Sequence, residues 1–134
     1  MTDSSAKPAA VAQPVPPPDK GRYKAVVTLW GQYVASRFDQ TSEAFIATVD
    51  DGEVVKSCTV VLATPSADEL CRLILSERAD VVICGGIQRR YHEYLTWKKV
   101  CVLDSVMGPW EKALDLLRRG ELASGAVLYD GEES

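Results

Sequence analysis

Histidine occurs once in these 134 residues, at position 92, and the four cysteines at 58, 71, 84 and 101 never form a C-x-x-C pair. Structural zinc sites and redox dithiols are usually built on such close pairs, so neither is suggested. Three of the cysteines lie in apolar strand-like runs and Cys71 lies in a helical pattern. They read as small buried hydrophobes of a reducing compartment. No apolar run approaches the ~18 residues that a membrane crossing needs, and no apolar h-region follows Met1. Basic residues number 15 against 19 acidic ones, a net charge of −4, which argues against the basic stripe of a nucleic-acid binder. These absences point to a cytoplasmic protein with neither nucleic acid nor membrane as a partner.

The apolar fraction of 46% and the charged fraction of 25% are ordinary for a globular protein, and the length suits one domain with a real core. Residues 1–21 form a separate regime, with five of the seven prolines and almost no large apolar side chain. Such a segment cannot bury enough surface to order itself, and reads as a disordered, Pro-rich tail. The domain then runs over 22–129, and an acidic tail over 130–134 closes the chain.

Lys24-Ala-Val-Val-Thr-Leu-Trp30 reads as a buried strand that Gly31 ends, with Trp30 as core or crevice wall. Glu43–Asp50 and Glu53–Leu62 are two more strands, joined by Asp51-Gly52, a pair that favours a tight primed turn. Thr64-Pro65-Ser66 opens a helix, with Thr64 as cap and Ala67, Leu70, Cys71, Ile74 and Leu75 as its apolar face. Val81–Cys84 is a continuous apolar run, as in a strand buried on both faces. Ile87, Tyr91, Tyr94 and Leu95 repeat at helical spacing, which leaves Arg89, His92 and Glu93 on the polar side. Lys99–Leu103 is a fifth strand, and Gly108-Pro109 starts a last helix over Trp110, Ala113, Leu114 and Leu117 that ends at Gly120.

A hairpin followed by βαβ crossovers predicts an α/β fold: a five-stranded mixed sheet in the order 3-2-1-4-5, with helices on its faces. Its topological switch point lies between the first and fourth strands, where crevice ligands sit beyond the carboxyl ends. Those ends are Thr28–Gly31 and Cys84–Gly86, so the segment Asp80–His92 lies at the switch point. A strand, a glycine turn and a helix start bring backbone N–H groups to such a crevice, where they favour an anion. Here Gly85 and Gly86 supply the amides, and Arg89, Arg90 and Arg37 the charge. His92 and Cys84 are the candidate metal ligands, because imidazole and thiolate suit iron, copper and molybdenum–sulfur chemistry. Each also has a plainer reading: a core thiol for Cys84, an exposed inert side chain for His92, and a solvated face for the arginines. An enzyme is not expected. A nuclease on such a sheet needs clustered carboxylates, and the first strand has none. A Cys84–His92 nucleophilic pair lacks a third residue to orient it.

Four segments resemble the dinitrogenase iron–molybdenum cofactor biosynthesis family, which includes NifX-like proteins, the C-terminal domain of NifB and the molybdenum–copper orange protein. They are the first strand; Val34-Ala-Ser-Arg-Phe38-Asp39 with Ala44-Phe-Ile; Ala79-Asp-Val-Val-Ile-Cys-Gly-Gly-Ile87; and Val100-Cys-Val-Leu with Glu111-Lys-Ala-Leu and Leu116-Leu-Arg-Arg-Gly-Glu-Leu122. The resemblance covers about Tyr23 to Leu122, and the D-V-V-I-x-G-G-I string is its most specific part. Asp39 departs from the family's glycine, and Gln88-Arg-Arg90 replaces a further glycine-rich turn. The resemblance implies a ribonuclease-H-like motif and a non-catalytic carrier or scaffold, connected with nitrogen fixation. Its cargo would be an anionic metal–sulfur cluster: the iron–molybdenum cofactor, its precursor, or another molybdenum or iron–sulfur cluster. Its partners would be proteins that donate or accept the cluster. The alternative is a cluster-free protein-interaction or regulatory module on the same fold.

Overall fold

The computed structural model describes residues 21–129, so the Pro-rich tail (apart from Gly21) and the acidic tail lie outside the described residues. In chain order the strands are β1 Arg22–Trp30, β2 Tyr33–Val34, β3 Glu43–Asp50, β4 Glu53–Val61, β5 Val81–Ile83 and β6 Cys101–Leu103. The helices are α1 Ala67–Ser76, α2 Arg89–Trp97 and α3 Trp110–Arg118, and a 3-10 turn spans Phe38–Gln40.

The strands form one mixed sheet, read edge to edge as β4-β3-β1-β5-β6, with β2 folded back on β1. It therefore has six strands, where five were expected. The added strand is a two-residue return of β1, pairing Leu29 with Val34 and Trp30 with Tyr33. It escaped the sequence pattern because two residues cannot display a period. Asp51 and Gly52 both take positive φ, +55° and +83°, as a primed turn between β3 and β4 requires. The pairs β1–β5 and β5–β6 are parallel, with α1 leading into β5 and α2 joining β5 to β6.

Alternate residues of β1 serve two cores. Ala25, Val27 and Leu29 face α3, where they meet Ala113, Leu114 and Leu117. Val26 faces the other way, with Val82, Ile46 and Phe38, toward Leu70 and Ile74 of α1 and Leu95 of α2. A central strand buried on both faces is apolar at nearly every position; the exception, Thr28, is wholly buried and donates its hydroxyl to the Ile83 carbonyl at 3.4 Å.

Three local expectations are corrected. Ser66, not Thr64, caps α1: its Oγ accepts the Glu69 N–H at 3.1 Å. Pro65 therefore precedes the cap rather than opening the first turn. Of the predicted α2 stripe, Leu95 is buried and Ile87 and Tyr91 pack half-buried against the same core, but Tyr94 is exposed. Trp30 stands 69% exposed, because the β1–β2 return carries it past the end of the sheet.

Candidate functional site

At the switch point the chain after β1 crosses the carboxyl end of β5. The Gly86 N–H donates to the Ser36 carbonyl at 2.8 Å, and the Gly86 carbonyl accepts the Phe38 N–H at 2.8 Å. Phe38, wholly buried between sheet and helices, anchors this crossing. A Cβ on Gly85 would collide with the Ala35 and Ser36 carbonyl oxygens and stand 2.6 Å from the Ser36 carbonyl carbon. The other flank is stitched to the chain after β6: Ser105 N–H donates to Gly85 at 2.9 Å, and Val106 N–H to Cys84 at 3.1 Å. The expectation that Gly86 offers its amide to an anion is thus corrected, since that N–H is already bonded. Gly85 serves close backbone approach.

Cys84 lies at the floor of this crossing, with no exposed surface, among Val26, Phe38, Val82 and Leu95. Burial, and then the nearby Asp104 charge, push its thiol far up from the ordinary range. A thiol held protonated in an apolar layer is a packing group, so the reading that aims its sulfur at the crevice is also corrected.

Arg37 projects outward and grips Asp39 in a bidentate pair, Nε to Oδ1 at 3.2 Å and Nη2 to Oδ2 at 3.0 Å. The hydrogen bond from Arg37 holds the Asp39 carboxyl below the usual carboxylate range. The residue that departs from the family's glycine therefore absorbs the charge expected to face a ligand.

Arg89 and Arg90 open α2 and are exposed. Arg90 turns toward its neighbour, its guanidinium carbon 4.7 Å from the Tyr91 ring centre and Nη2 3.0 Å from the Tyr91 hydroxyl. This aims it along a groove of about 720 Å³ between α1 and α2, also lined by Asp68, Arg72 and Tyr94. Arg89 makes no ion pair among the described residues. Two cations in a helix's first turn oppose the macrodipole, so an anion there gains from both.

His92, one turn further on, is 40% exposed, with Nε2 3.8 Å from Asp104 Oδ1. Asp104 follows β6 directly. Its N–H donates to Ser124 Oγ at 3.1 Å, and its Oδ2 accepts the Ser105 hydroxyl at 3.0 Å. The sequence reading missed Asp104 and Ser105. The rule that ligands gather beyond strand carboxyl ends, applied to β6 as well as β5, would have found them. Among the described residues no three His, Cys, Asp or Glu side chains converge as a metal site. The mouth thus brings together His92, Asp104 and the start of α2, while Arg37 and Cys84 are engaged elsewhere.

Beside this mouth lies an exposed apolar patch. Trp30 pairs with Tyr33, Tyr33 meets Tyr129 at 6.2 Å between ring centres, and Met107 bridges to Val127.

A mixed sheet with helices on both faces and a crevice beyond its central parallel strands defines a small α/β fold. No family model and no curated protein matches the sequence. Solved structures do. The protein PH0822 superposes with a TM-score of 0.69 at 19% identity, over 83% of this chain and 99% of that one. A protein of Methanocaldococcus jannaschii, provisionally titled a dinitrogenase, gives 0.64 at 21% over 76% and 93%. A Thermotoga protein, provisionally titled NifB and assigned to the DUF35 family, gives 0.60 at 18% over 81% and 97%. At such identity the likeness establishes the fold alone, and two of the structures that share it are titled dinitrogenase and NifB. Among the described residues no helix is long and apolar enough to cross a membrane.

Proposed function

We propose that the protein is a non-catalytic carrier or scaffold for an anionic metal–sulfur cluster: the iron–molybdenum cofactor, a precursor, or another molybdenum or iron–sulfur cluster. The observation that carries this reading is the placement of His92. It stands half-exposed at the mouth of the fold, one turn after Arg89 and Arg90. That fold is shared with structures titled dinitrogenase and NifB. The donor set suits a cargo held by charge and one imidazole rather than by several thiolates. Cys84 supplies packing in this scheme, and the Nε/Nη2 edge of Arg37 is taken by Asp39. We assign the domain to the ribonuclease-H-like class and the protein to the cytoplasm as parts of the same reading. The Trp30–Tyr33–Tyr129 patch beside the mouth is where a donor or acceptor protein would dock. The same patch favours a second reading, a cluster-free interaction or regulatory module.

Anaerobic reconstitution with tetrathiomolybdate, or with iron and sulfide, separates the two. The carrier binds metal at a fixed ratio to protein, and His92→Ala loses most of it while remaining folded. No stoichiometric metal under any of these conditions, or unchanged loading in His92→Ala, overturns the proposed site.

A further inference from the structure

The sheet has two unlike edges. β6 is three residues long, whereas β4 runs for nine, Glu53–Val61, and eight of the nine are exposed. Long open edges are normally blunted by prolines, charges or bulges. β4 carries no proline and one lysine, and its bulge sits at the start, where Val55 is extra between the pairs Val49–Val54 and Thr48–Lys56. From Lys56 to Val61 the edge is regular.

The direction of its free hydrogen bonds follows from the ladder. Leu62 N–H donates to Ser42 O at 2.8 Å, so position 62 bonds inward to β3. In an antiparallel pair the bonding residues alternate. Ser57, Thr59 and Val61 therefore turn their N–H and C=O groups toward the side on which no strand pairs among the described residues. Such an edge is a template for another extended strand.

We infer that β4 pairs antiparallel with β4 of a second copy, joining two sheets edge to edge about a two-fold axis. The sequence is self-complementary in that arrangement. The outward groups require odd positions to face odd positions, which centres the axis on Cys58 or Thr59. With the axis on Cys58, Ser57 faces Thr59, a hydrogen-bonding pair, and Lys56 faces Val60. With it on Thr59, the two threonines face each other and Ser57 faces Val61. In neither register do like charges meet, and cross-strand threonine and β-branched pairs are favourable. Both place the two Cys58 side chains on one face, opposite or diagonal, and Cys58 is an exposed thiol. The contact is narrow compared with the ~1,600 Å² of a standard interface, so association weaker than about 1 µM is expected. This inference does not depend on the proposed cluster.

The test is sedimentation of the full chain over a concentration series, with crosslinking by a short bis-maleimide. A concentration-dependent dimer, crosslinked in wild type and not in Cys58→Ser, is the expected result. Thr59→Pro removes an N–H that points outward, so it should abolish both dimer and crosslink while leaving the circular dichroism spectrum unchanged. Should that variant unfold, Thr59→Lys, an exposed change that sets charge on the edge, is expected to do the same. A monomer at every concentration up to about 1 mM, where even contacts below the standard size associate, overturns the inference. So does a dimer that is indifferent to the folded Thr59 variant, or that joins through another face or another protein's strand.

Discussion

The hydrogen that Gly85 carries in place of a side chain is what lets the Ala35 carbonyl lie against it. The chain leaving β1 can cross the end of β5 only through that gap. Gly86, its neighbour, is different: a Cβ there would meet Ser36 O at 3.6 Å, an ordinary contact. Gly85→Ala forces backbone against backbone and should cost about 3 kcal/mol or more, as overpacking at an unyielding site does. Gly86→Ala should stay within about 1 kcal/mol, since only intrinsic backbone preference changes. Urea unfolding of the two variants measures both. Equal losses would mean that the crossing is not held as described.

A second pair of substitutions separates the two possible caps of α1. Ser66→Ala removes the acceptor of the Glu69 N–H and is expected to cost about 1 kcal/mol. Thr64→Ala, two residues outside the helix, should be close to neutral. The comparison needs only thermal unfolding of the two single variants. A larger loss at Thr64 would restore the cap that the bare sequence favours.

That correction shows where the sequence is legible and where it is not. Thr64-Pro65-Ser66 holds two equally good capping hydroxyls, and only the path of the chain from β4 decides between them. The apolar run of β1 and the Asp51-Gly52 turn were readable, because burial on two faces and positive φ each demand particular residues. At the site, the Gly86 N–H is spent on the Ser36 carbonyl, and Gly85 is held to glycine by the chain that crosses it. Glycine before a helix looks alike whether it admits an anion or a neighbouring carbonyl. Asp39 and Asp104 act through partners 2 and 12 residues away, at 3.0 and 3.8 Å, and no local period announces such a pair.

The buried thiols predict an alkaline limit to stability. Cys71 is pushed up to about 11 by burial and by Asp68, and Cys84 rises further still from an ordinary value of 9.0. Unfolded thiols lose protons near pH 9 while the folded ones keep theirs, so the native state binds more protons and stability falls as pH rises. The contribution is intact below pH 9 and lost progressively above it. Unfolding free energies measured between pH 8 and 11 should decline, and Cys84→Ala should reduce the slope by up to one proton. An increase with pH would contradict the burial of these groups. Native-state alkylation should mark Cys58 first, because it alone among the cysteines is fully exposed.

The Arg37–Asp39 pair gives the sharpest test of how charge is disposed at the mouth. Asp39 occupies the Nε/Nη2 edge of the guanidinium at 3.2 and 3.0 Å, so an anion that would take that edge competes with a carboxylate already seated there. Asp39→Gly frees that edge of the guanidinium. Tetrathiomolybdate binding, followed by its visible spectrum, should tighten a few-fold, and the gain should shrink with added salt because the pair is exposed. Arg37→Ala in the same background should cancel it. The carboxyl itself offers a second readout. Its titration by carbon NMR should fall below that of an ordinary aspartate in the wild type, and move up toward it in Arg37→Ala, since the arginine's hydrogen bond is the largest cause of the shift. A tightening in Asp39→Gly that survives loss of Arg37 would mean that the carboxylate repels the anion directly. Asp39 would then be a charge gate at the mouth rather than a clamp on one arginine.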